Sequence, residues 1–287
     1  MSRSEELLAL LPAGFPANQS SAEAACLVAE RIAALPRDEG PPVIGINGAQ
    51  GSGKSTLTQL IGLALEQFHG MRPALLSLDD FYLGKPPRLQ LARLVHPMCE
   101  TRGVPGTHDT LLMADTLEKL THAGPDSRTP LPRFDKLDDD RVSREAWPEF
   151  EGRPDAILLE GWCVGLHAAD VPEWSGPINE LEAAEDPQGE WARWSLEELA
   201  RDYPAIWDRF ALLVSIEVPD IETVIASRLR QEVGLAAGSD RPRMDRAGVT
   251  RFVQHYERFT RAIWASMPQR ADMLFRRTPD FGYSLVK

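Results

Sequence analysis

The chain has 287 residues, of which 43% are hydrophobic and 26% charged, values typical of a globular protein that buries a full core. Its formal net charge of -12 argues against nucleic acid or an anionic membrane as a general partner, but leaves room for a local basic pocket that binds a small anion. Its three cysteines have no metal-ligand spacing, and neither a signal-peptide core nor a bilayer-spanning apolar run is present, so we expect a cytoplasmic protein.

The first forty residues predict two helices, at residues 4–12 and 21–35. Pro36 and the pair Pro41-Pro42 end the second helix and lead the chain into an apolar strand. This segment carries no recognisable chemistry. We therefore expect residues 1–40 to form a helical extension packed on the domain that occupies residues 41–287.

A glycine-rich segment follows the strand at residues 43–47 and fits G-x-x-x-x-G-K-[ST], the phosphate-binding loop. Its glycines let successive N–H groups turn toward phosphate oxygens, at the start of a helix whose dipole favours anions. Lys54 is expected to reach the β- and γ-phosphates, and the Ser55 hydroxyl to bind Mg²⁺. The predicted nucleotide-binding residues are Gly48, Ala49, Gln50, Gly51, Ser52, Gly53, Lys54, Ser55 and Thr56. The alternative is a chance glycine turn before an ordinary helix.

Beyond this loop, strands alternate with helices. Strands are predicted at residues 73–78, 155–160, 210–217 and 271–275, and helices at residues 110–122, 196–208, 220–232 and 250–266. Residues 86–107, 124–140 and 234–248 read as irregular or polar loops, and residues 172–195 have no clear period. The alternation predicts an α/β fold of the P-loop NTPase type, with three α/β/α layers and a mainly parallel central sheet.

Carboxylates stand at the carboxyl ends of two predicted strands, the edge at which ligands bind in open parallel sheets. Asp79 is expected to take the proton of an acceptor hydroxyl and to lie near the metal. Asp80 and Tyr82 follow it and are expected to contact the acceptor. Glu160 ends an apolar run, which favours a metal or metal-bound water as its partner. The alternative for these acids is a solvated carboxylate or a helix cap.

Two loops combine cations with hydrogen-bonding groups. Residues 101–109 contain Arg102 and His108, and residues 132–136 contain Arg133, Asp135 and Lys136. Such residues can grip an anionic substrate and its hydroxyls. The alternatives are a capped helix for the first loop and a solvated, charge-mixed loop for the second.

Arg228 and Arg230 lie late in a predicted helix that leads into a glycine-rich, basic segment. In small-molecule kinases such a segment acts as a lid that brings an arginine to the phosphates. Residues spaced i, i+2 point to different faces of a helix, so we expect only one of the two to serve the phosphates. Stabilisation of the helix C-terminus is the alternative role.

Five segments in this order, GAQGSGKST, SLDDFYL, RGVPGTHD, PRFDK and ILLEGWCVG, resemble the D-glycerate 3-kinase family. That family belongs to the wider group of P-loop kinases that includes phosphoribulokinase, uridine kinase and pantothenate kinase. The resemblance covers residues 42–275. It departs at Cys163-Val164, where plant-type members have a Met-Leu pair, and in residues 172–195.

The resemblance implies roles for individual residues. ATP and Mg²⁺ would bind at residues 48–56, Asp79 would be the base, Glu160 would end the Walker B-like strand, and Arg230 would be the lid arginine. Arg102, His108, Arg133 and Asp135 fall where the family shapes its acceptor pocket.

The sequence thus predicts a phosphotransferase with an alcohol acceptor, an ATP- and Mg²⁺-dependent kinase that converts D-glycerate to 3-phosphoglycerate. The expected partner is this small hydroxy acid, without nucleic acid or membrane. A related kinase for a nucleoside or a pantothenate-like acceptor is the alternative enzyme. A regulatory nucleotide-binding protein is the alternative of another class, although the chain lacks the N-K-x-D motif that reads guanine.

Overall fold

The computed structural model describes residues 1–38, 40–236, 244–278 and 281–287. Its helices are α1 (Arg3–Ala9), α2 (Gln19–Ala33), α3 (Lys54–His69), α4 (Lys85–Leu94), α5 (Thr110–Thr121), α6 (Glu180–Glu185), α7 (Glu190–Asp202), α8 (Pro204–Trp207), α9 (Ile221–Ala236) and α10 (Arg246–Arg270). Its strands are β1 (Val43–Gly48), β2 (Pro73–Ser77), β3 (Arg128–Pro130), β4 (Phe134–Asp135), β5 (Asp140–Arg141), β6 (Glu149–Glu151), β7 (Ala156–Gly161), β8 (Phe210–Glu217), β9 (Met273–Arg277) and β10 (Tyr283–Leu285).

The central sheet has the strand order β10-β9-β8-β1-β7-β2 within the described ranges. All its neighbouring pairs are parallel except β9 with β10, which are antiparallel. Strands β1 and β7 are buried along their whole length. Their continuous apolar character follows from this position, because helices cover both faces of the sheet.

Alternating side chains of the inner strands enter two apolar layers. Ile157 and Leu159 of β7 face the layer that contains α5, α7 and α10. Leu158, between them, faces the opposite layer, which contains α2 and α3. The predicted α/β fold with a mainly parallel sheet between two helical layers is therefore confirmed.

The N-terminal helices pack on the second of these layers. Leu7 of α1 and Ala25, Val28 and Ile32 of α2 are buried in the same cluster as Leu57 and Ile61 of α3. The division of the chain at residue 40 stays a prediction.

Four segments differ from the sequence-based expectation. Residues 86–107 contain helix α4 and a short 3-10 helix, Pro97–Glu100, because the prolines at the start of α4 occupy positions where a missing N–H costs nothing. Residues 124–140 supply strands of two small antiparallel sheets, β3 with β6 and β4 with β5. Residues 172–195 hold α6 and the start of α7. Strand β10 lies beyond the last predicted strand.

The predicted polar loop at residues 234–248 overlaps a helix at each of its ends. Helix α9 extends to Ala236, and α10 begins at Arg246. Residues 237–243 lie outside the described ranges. None of the described helices is both long enough and apolar enough to cross a bilayer.

Candidate active site

The loop between β1 and α3 has the backbone that a triphosphate needs. Gly51 and Gly53 have φ angles of 72° and 90°, in the left-handed region that favours glycine. A Cβ at Gly48 would stand 2.5 Å from the Ser52 hydroxyl, so the curl leaves no room for a side chain there. No side chain caps the N-terminus of α3, which leaves its first N–H groups available to an anion.

The C-terminal strands brace this loop from outside. Arg277 Nη1 of β9 donates to the Gly51 carbonyl at 2.9 Å and to the Ser227 hydroxyl of α9 at 2.8 Å. The Tyr283 hydroxyl of β10 donates to the Ser52 carbonyl at 3.2 Å. The carbonyls of Gly51 and Ser52 are therefore held by β9 and β10.

Glu160, at the end of β7, lies under the loop and is 6% exposed. Its Oε1 accepts hydrogen bonds from the hydroxyls of Ser55 at 2.7 Å and Ser77 at 3.1 Å. Its Oε2 is buried without a hydrogen-bond partner among the described residues and lies 3.9 Å from Lys54 Nζ. A buried carboxylate beside a hydroxyl, with one oxygen still to be satisfied, suits Mg²⁺, which prefers oxygen ligands.

A metal here would need oxygen atoms from a bound nucleotide as well. In the described part of the chain, no group of three or more His, Cys, Asp or Glu residues is arranged to hold a metal ion. This fits Mg²⁺, which is commonly bound by one or two protein groups together with substrate phosphates and water. The residues at the loop therefore fit a nucleoside triphosphate with its magnesium ion.

Asp79 lies in the 3-10 helix Leu78–Phe81 that follows β2. Lys136 Nζ donates to its Oδ2 at 2.5 Å, and the Tyr82 hydroxyl donates to its Oδ1 at 2.9 Å. Burial works to raise the pKa of Asp79, but the charges of Lys136 and Lys54 and the two hydrogen bonds outweigh it and hold the pKa below its ordinary value. Asp79 is therefore an ionised hydrogen-bond acceptor at neutral pH.

Asp79 and the loop share one cavity of about 150 Å³. Its lining residues are Gln50, Gly51, Lys54, Ser55, Asp79, Tyr82, Arg102, Lys136, Trp162, Arg228, Gln231, Phe252 and Tyr256. Nine of these thirteen lining residues, all except Trp162, Gln231, Phe252 and Tyr256, were singled out from the sequence and thus meet at one place. The cavity brings together a phosphate cradle, a carboxylate and several cations.

The other expected acceptor residues have partners outside this lining. Asp80 accepts from Arg133 Nη1 at 2.7 Å and from the Phe134 N–H at 3.1 Å. Burial raises the pKa of Asp80, although Arg133 and Phe134 oppose the rise. Asp135 accepts from the N–H groups of the two residues at 137 and 138. These contacts hold the β4–β5 hairpin beside the cavity, and an acceptor contact by Asp80, Arg133 or Asp135 stays a prediction.

His108 lies behind Tyr82, stacked on its ring with centroids 4.8 Å apart. Its Nδ1 shares a hydrogen bond of 2.7 Å with the Tyr203 hydroxyl. Burial lowers the pKa of His108 to about 3, so the ring is neutral at physiological pH. In the structure His108 thus supports Tyr82, and a direct acceptor contact stays a prediction.

The structure distinguishes the two arginines of α9. Arg228 lines the cavity, with its guanidinium 5.0 Å from the centroid of the Phe252 ring and an ion pair to Glu232. Arg230, the residue expected to act as the lid arginine, instead lies 4.4 Å from the centroid of the Phe281 ring. Helical geometry separates them, because residues two apart point in different directions.

Sequence reasoning gave no site role to four lining residues: Trp162, Gln231, Phe252 and Tyr256. Trp162 Nε1 donates to the Gly103 carbonyl at 3.0 Å, and the Tyr256 hydroxyl donates to the Arg102 carbonyl at 2.9 Å. These bonds fix the loop at residues 101–109. Phe252 and Tyr256 are spaced i, i+4, which was an available signal, but a helical stripe of this kind usually indicates core packing.

Comparison with known proteins agrees with this arrangement. The chain is 31% identical over 234 residues to the uncharacterised kinase mug58 of Schizosaccharomyces pombe, a match that covers 77% of this chain and 80% of that protein. It is 33% identical over 254 residues to the chloroplastic D-glycerate 3-kinase of Arabidopsis thaliana, covering 82% of this chain but only about half, 51%, of that protein. No protein-family profile matches the chain.

The fold also matches a solved structure, that of D-glycerate 3-kinase from Cryptococcus neoformans var. grubii. The TM-score is 0.71 at 24% identity, and the superposition covers 94% of this chain and 100% of that one. A glycine-rich loop with its lysine and serine, a carboxylate at the end of the neighbouring strand, and this similarity in sequence and fold lead to one assignment. The chain belongs to a family of P-loop kinases that includes mug58 and is related to D-glycerate 3-kinase.

Proposed function

We propose that this kinase uses ATP and Mg²⁺ to phosphorylate D-glycerate on its 3-hydroxyl, giving 3-phosphoglycerate. The observation that carries the proposal is the cavity of about 150 Å³ in which Lys54, Asp79 and the cations Arg102 and Lys136 meet. The two cations beside Asp79 suit an acceptor that carries a carboxylate, as a three-carbon hydroxy acid does. The name of the Arabidopsis relative supports the same substrate.

On the donor side, the amides of residues 48–56 would bind the phosphates of ATP, and Lys54 would contact the β- and γ-phosphates. Ser55 and Glu160 would hold the magnesium ion, directly or through water. When bound, Mg²⁺ neutralises charge on the β- and γ-phosphate oxygens during transfer.

On the acceptor side, Asp79 would accept a hydrogen bond from the 3-hydroxyl and take its proton as the oxygen bonds to phosphorus. A carboxylate with a low pKa is a weak base. Phosphoryl transfer passes through a loose transition state, so orientation of the hydroxyl matters more than base strength. Arg102 and Lys136 would hold the carboxylate of the acid.

Arg228 is the better candidate for the arginine that contacts the transferred group. It already lines the cavity, whereas Arg230 is engaged with Phe281. A small movement of α9 would bring Arg228 to the γ-phosphate, where a cation stabilises the charge of the transition state.

A nucleoside kinase remains the second candidate, because Tyr82, Trp162, Phe252 and Tyr256 give the cavity aromatic walls. The polar atoms of Trp162 and Tyr256 are, however, bound to backbone carbonyls of residues 102 and 103. They therefore act as supports for the acceptor loop rather than as free groups that could read a base.

A substrate panel tests the proposal. Purified protein with ATP and Mg²⁺ is assayed for ADP release with D-glycerate, L-glycerate, uridine and pantothenate, and the product is examined by ³¹P and ¹H NMR. We expect turnover of D-glycerate with the phosphate on C3. Turnover of uridine or pantothenate without turnover of D-glycerate would refute the assignment, and ADP release with no phosphorylated acceptor would favour the regulatory alternative.

The cellular location is a separate proposal. The three free cysteines favour a reducing compartment such as the cytoplasm. The Arabidopsis relative is described as chloroplastic.

A further inference from the structure

Lys136 makes the shortest contact that Asp79 has with any cation in the described part of the chain. Its Nζ donates to Asp79 Oδ2 at 2.5 Å, while Tyr82 occupies Oδ1. Burial works to lower the pKa of Lys136, but the Asp79 carboxylate outweighs it and raises the pKa. The ammonium is therefore charged and occupies Asp79 Oδ2, the oxygen to which an acceptor hydroxyl would donate its hydrogen bond.

The hairpin that carries Lys136 is held by side-chain contacts on both of its sides. Asp80 binds Arg133 and the Phe134 N–H on one side of the hairpin, and Arg102 pairs with Asp139 on the other. The Lys136 side chain is 59% exposed and ends a flexible four-carbon stem. Its ammonium can thus leave Asp79 without any movement of the backbone.

Once the Lys136 ammonium leaves Asp79, it needs another anionic partner. Arg102 lines the same cavity, and its Nη2 lies 3.4 Å from the Lys136 carbonyl, so the two cations border one side of the acceptor space. An acceptor with a carboxylate next to its hydroxyl-bearing carbons would form an ion pair with Lys136. The same movement would leave Asp79 Oδ2 open to the acceptor hydroxyl. A neutral acceptor would leave the ammonium on Asp79.

We propose that Lys136 screens Asp79 until the carboxylate of the acceptor draws its ammonium away, which makes Lys136 the residue that selects acidic acceptors and suppresses phosphoryl transfer to water. This inference rests on the proposed kinase function. In the suppressed reaction, water would attack the γ-phosphorus, the bond to the bridging oxygen of ADP would break, and the proton of the water would pass to Asp79. ADP and inorganic phosphate would be the products.

The first test measures hydrolysis of ATP without any acceptor. We expect Lys136→Met to raise the rate of phosphate release by at least about 3-fold over the wild type, because Asp79 becomes open to water. Lys85→Met, which removes the same charge from an exposed position near the hairpin, serves as the control and is expected to leave the rate unchanged. An unchanged rate in Lys136→Met would overturn the screening role.

The second test compares acceptors with and without the carboxylate. For the wild type we expect kcat/KM for D-glycerate to exceed that for glycerol by a large factor. In Lys136→Met this ratio should fall by about 10- to 100-fold, the loss expected for a charged hydrogen bond to the acid. A ratio that stays at the wild-type value would overturn the selecting role.

A binding measurement separates this inference from the choice of substrate. Calorimetric titration with D-glycerate, without nucleotide, measures binding to the wild type. Lys136→Met should weaken this binding, while Lys136→Arg, which keeps the charge, should restore part of it; equal binding by all three proteins would contradict the inference. If D-glycerate is not a substrate at all, the hydrolysis test still decides whether Lys136 screens Asp79.

Discussion

Asp79 and Asp80 are adjacent in the chain, yet their environments differ. Asp79 faces the cavity with Lys54 and Lys136 nearby, while Asp80 faces the hairpin and holds Arg133 and the Phe134 backbone. The 3-10 helix turns the chain so that consecutive side chains point in different directions. Both residues are aspartates. The turn of the 3-10 helix alone directs Asp79 to the cavity and Asp80 to the hairpin that it supports.

Asp79→Asn tests the role of the first carboxylate. We expect kcat to fall by about 10²- to 10⁴-fold, because the amide cannot take the proton of the hydroxyl. The affinity for ADP, measured by calorimetry, should change little, since Asp79 does not hold the phosphates. Asp138→Asn, at an exposed position between β4 and β5, is the control. Loss of ADP binding in Asp79→Asn would show that the residue serves the nucleotide instead.

The two arginines of α9 form a second pair that the structure separates. Arg228→Met should lower kcat by at least about tenfold, because it removes a cation from the cavity. Arg230→Met should mainly lower the thermal midpoint of unfolding, since a cation–π contact with Phe281 contributes about 0.5–1 kcal/mol. Steady-state kinetics and thermal unfolding of both variants distinguish the roles, and a larger kcat loss in Arg230→Met would return the lid role to that residue.

At the scale of elements, the P-loop is a local motif whose support is distant in sequence. Its glycines and the helix start are set by residues 48–56, but its carbonyls are held by Arg277 and Tyr283 of β9 and β10. Burial and the neighbouring charge of Arg230 lower the pKa of Arg277. The C-terminal strands therefore support the predicted nucleotide-binding loop, although they carry none of the predicted motifs.

Gly53→Ala tests this bracing. A Cβ at Gly53 would meet the Tyr283 hydroxyl, and the φ of 90° is strained for alanine. We expect a loss of about 1–3 kcal/mol in the free energy of unfolding and weaker ADP binding. The double variant with Tyr283→Phe should recover part of the stability, because the colliding oxygen is gone. Chemical denaturation of the two single variants and the double variant measures this, and complete additivity would argue against the contact.

At the scale of the whole molecule, the fold keeps two buried histidines, His108 and His255, neutral. His255 of α10 lies against Trp191 of α7, with ring centroids 4.7 Å apart. Burial and the charge of Arg251 lower its pKa to about 3, although Glu185 and a hydrogen bond with the Thr101 backbone favour the charged form. The unfolded chain would bind a proton here near pH 6.5.

This difference makes stability depend on pH. Above pH 6.5 the ring is neutral in both states, so its contribution is fully present; as pH falls from 6.5 toward 3, only the unfolded state takes the proton, and stability is lost at about 1.4 kcal/mol per pH unit. In His255→Asn, the free energy of unfolding should depend on pH less steeply by that amount. Urea denaturation of variant and wild type at pH 7, 6 and 5 measures this dependence. Parallel slopes for variant and wild type would show that this histidine does not titrate on unfolding.

The amino-acid sequence by itself determined the elements whose signals are local. The P-loop, the apolar strands around it and the carboxylates at strand ends follow from residue types at short spacing, and parallel strands place Lys54, Asp79 and Glu160 on one edge of the sheet. The fold class and most of the residues that line the cavity were therefore predictable. Helix α4 was not, because its prolines read as breakers although they stand at the helix start.

Only the tertiary structure decided which side chains share the cavity. Lys136 rather than Arg133 meets Asp79, and Arg228 rather than Arg230 lines the cavity wall. These choices depend on how a hairpin and two helices, far apart in sequence, pack against the sheet. The sequence alone does not distinguish two nearby residues of the same charge as candidates for the cavity. The direction of each side chain is defined only when the chain is folded.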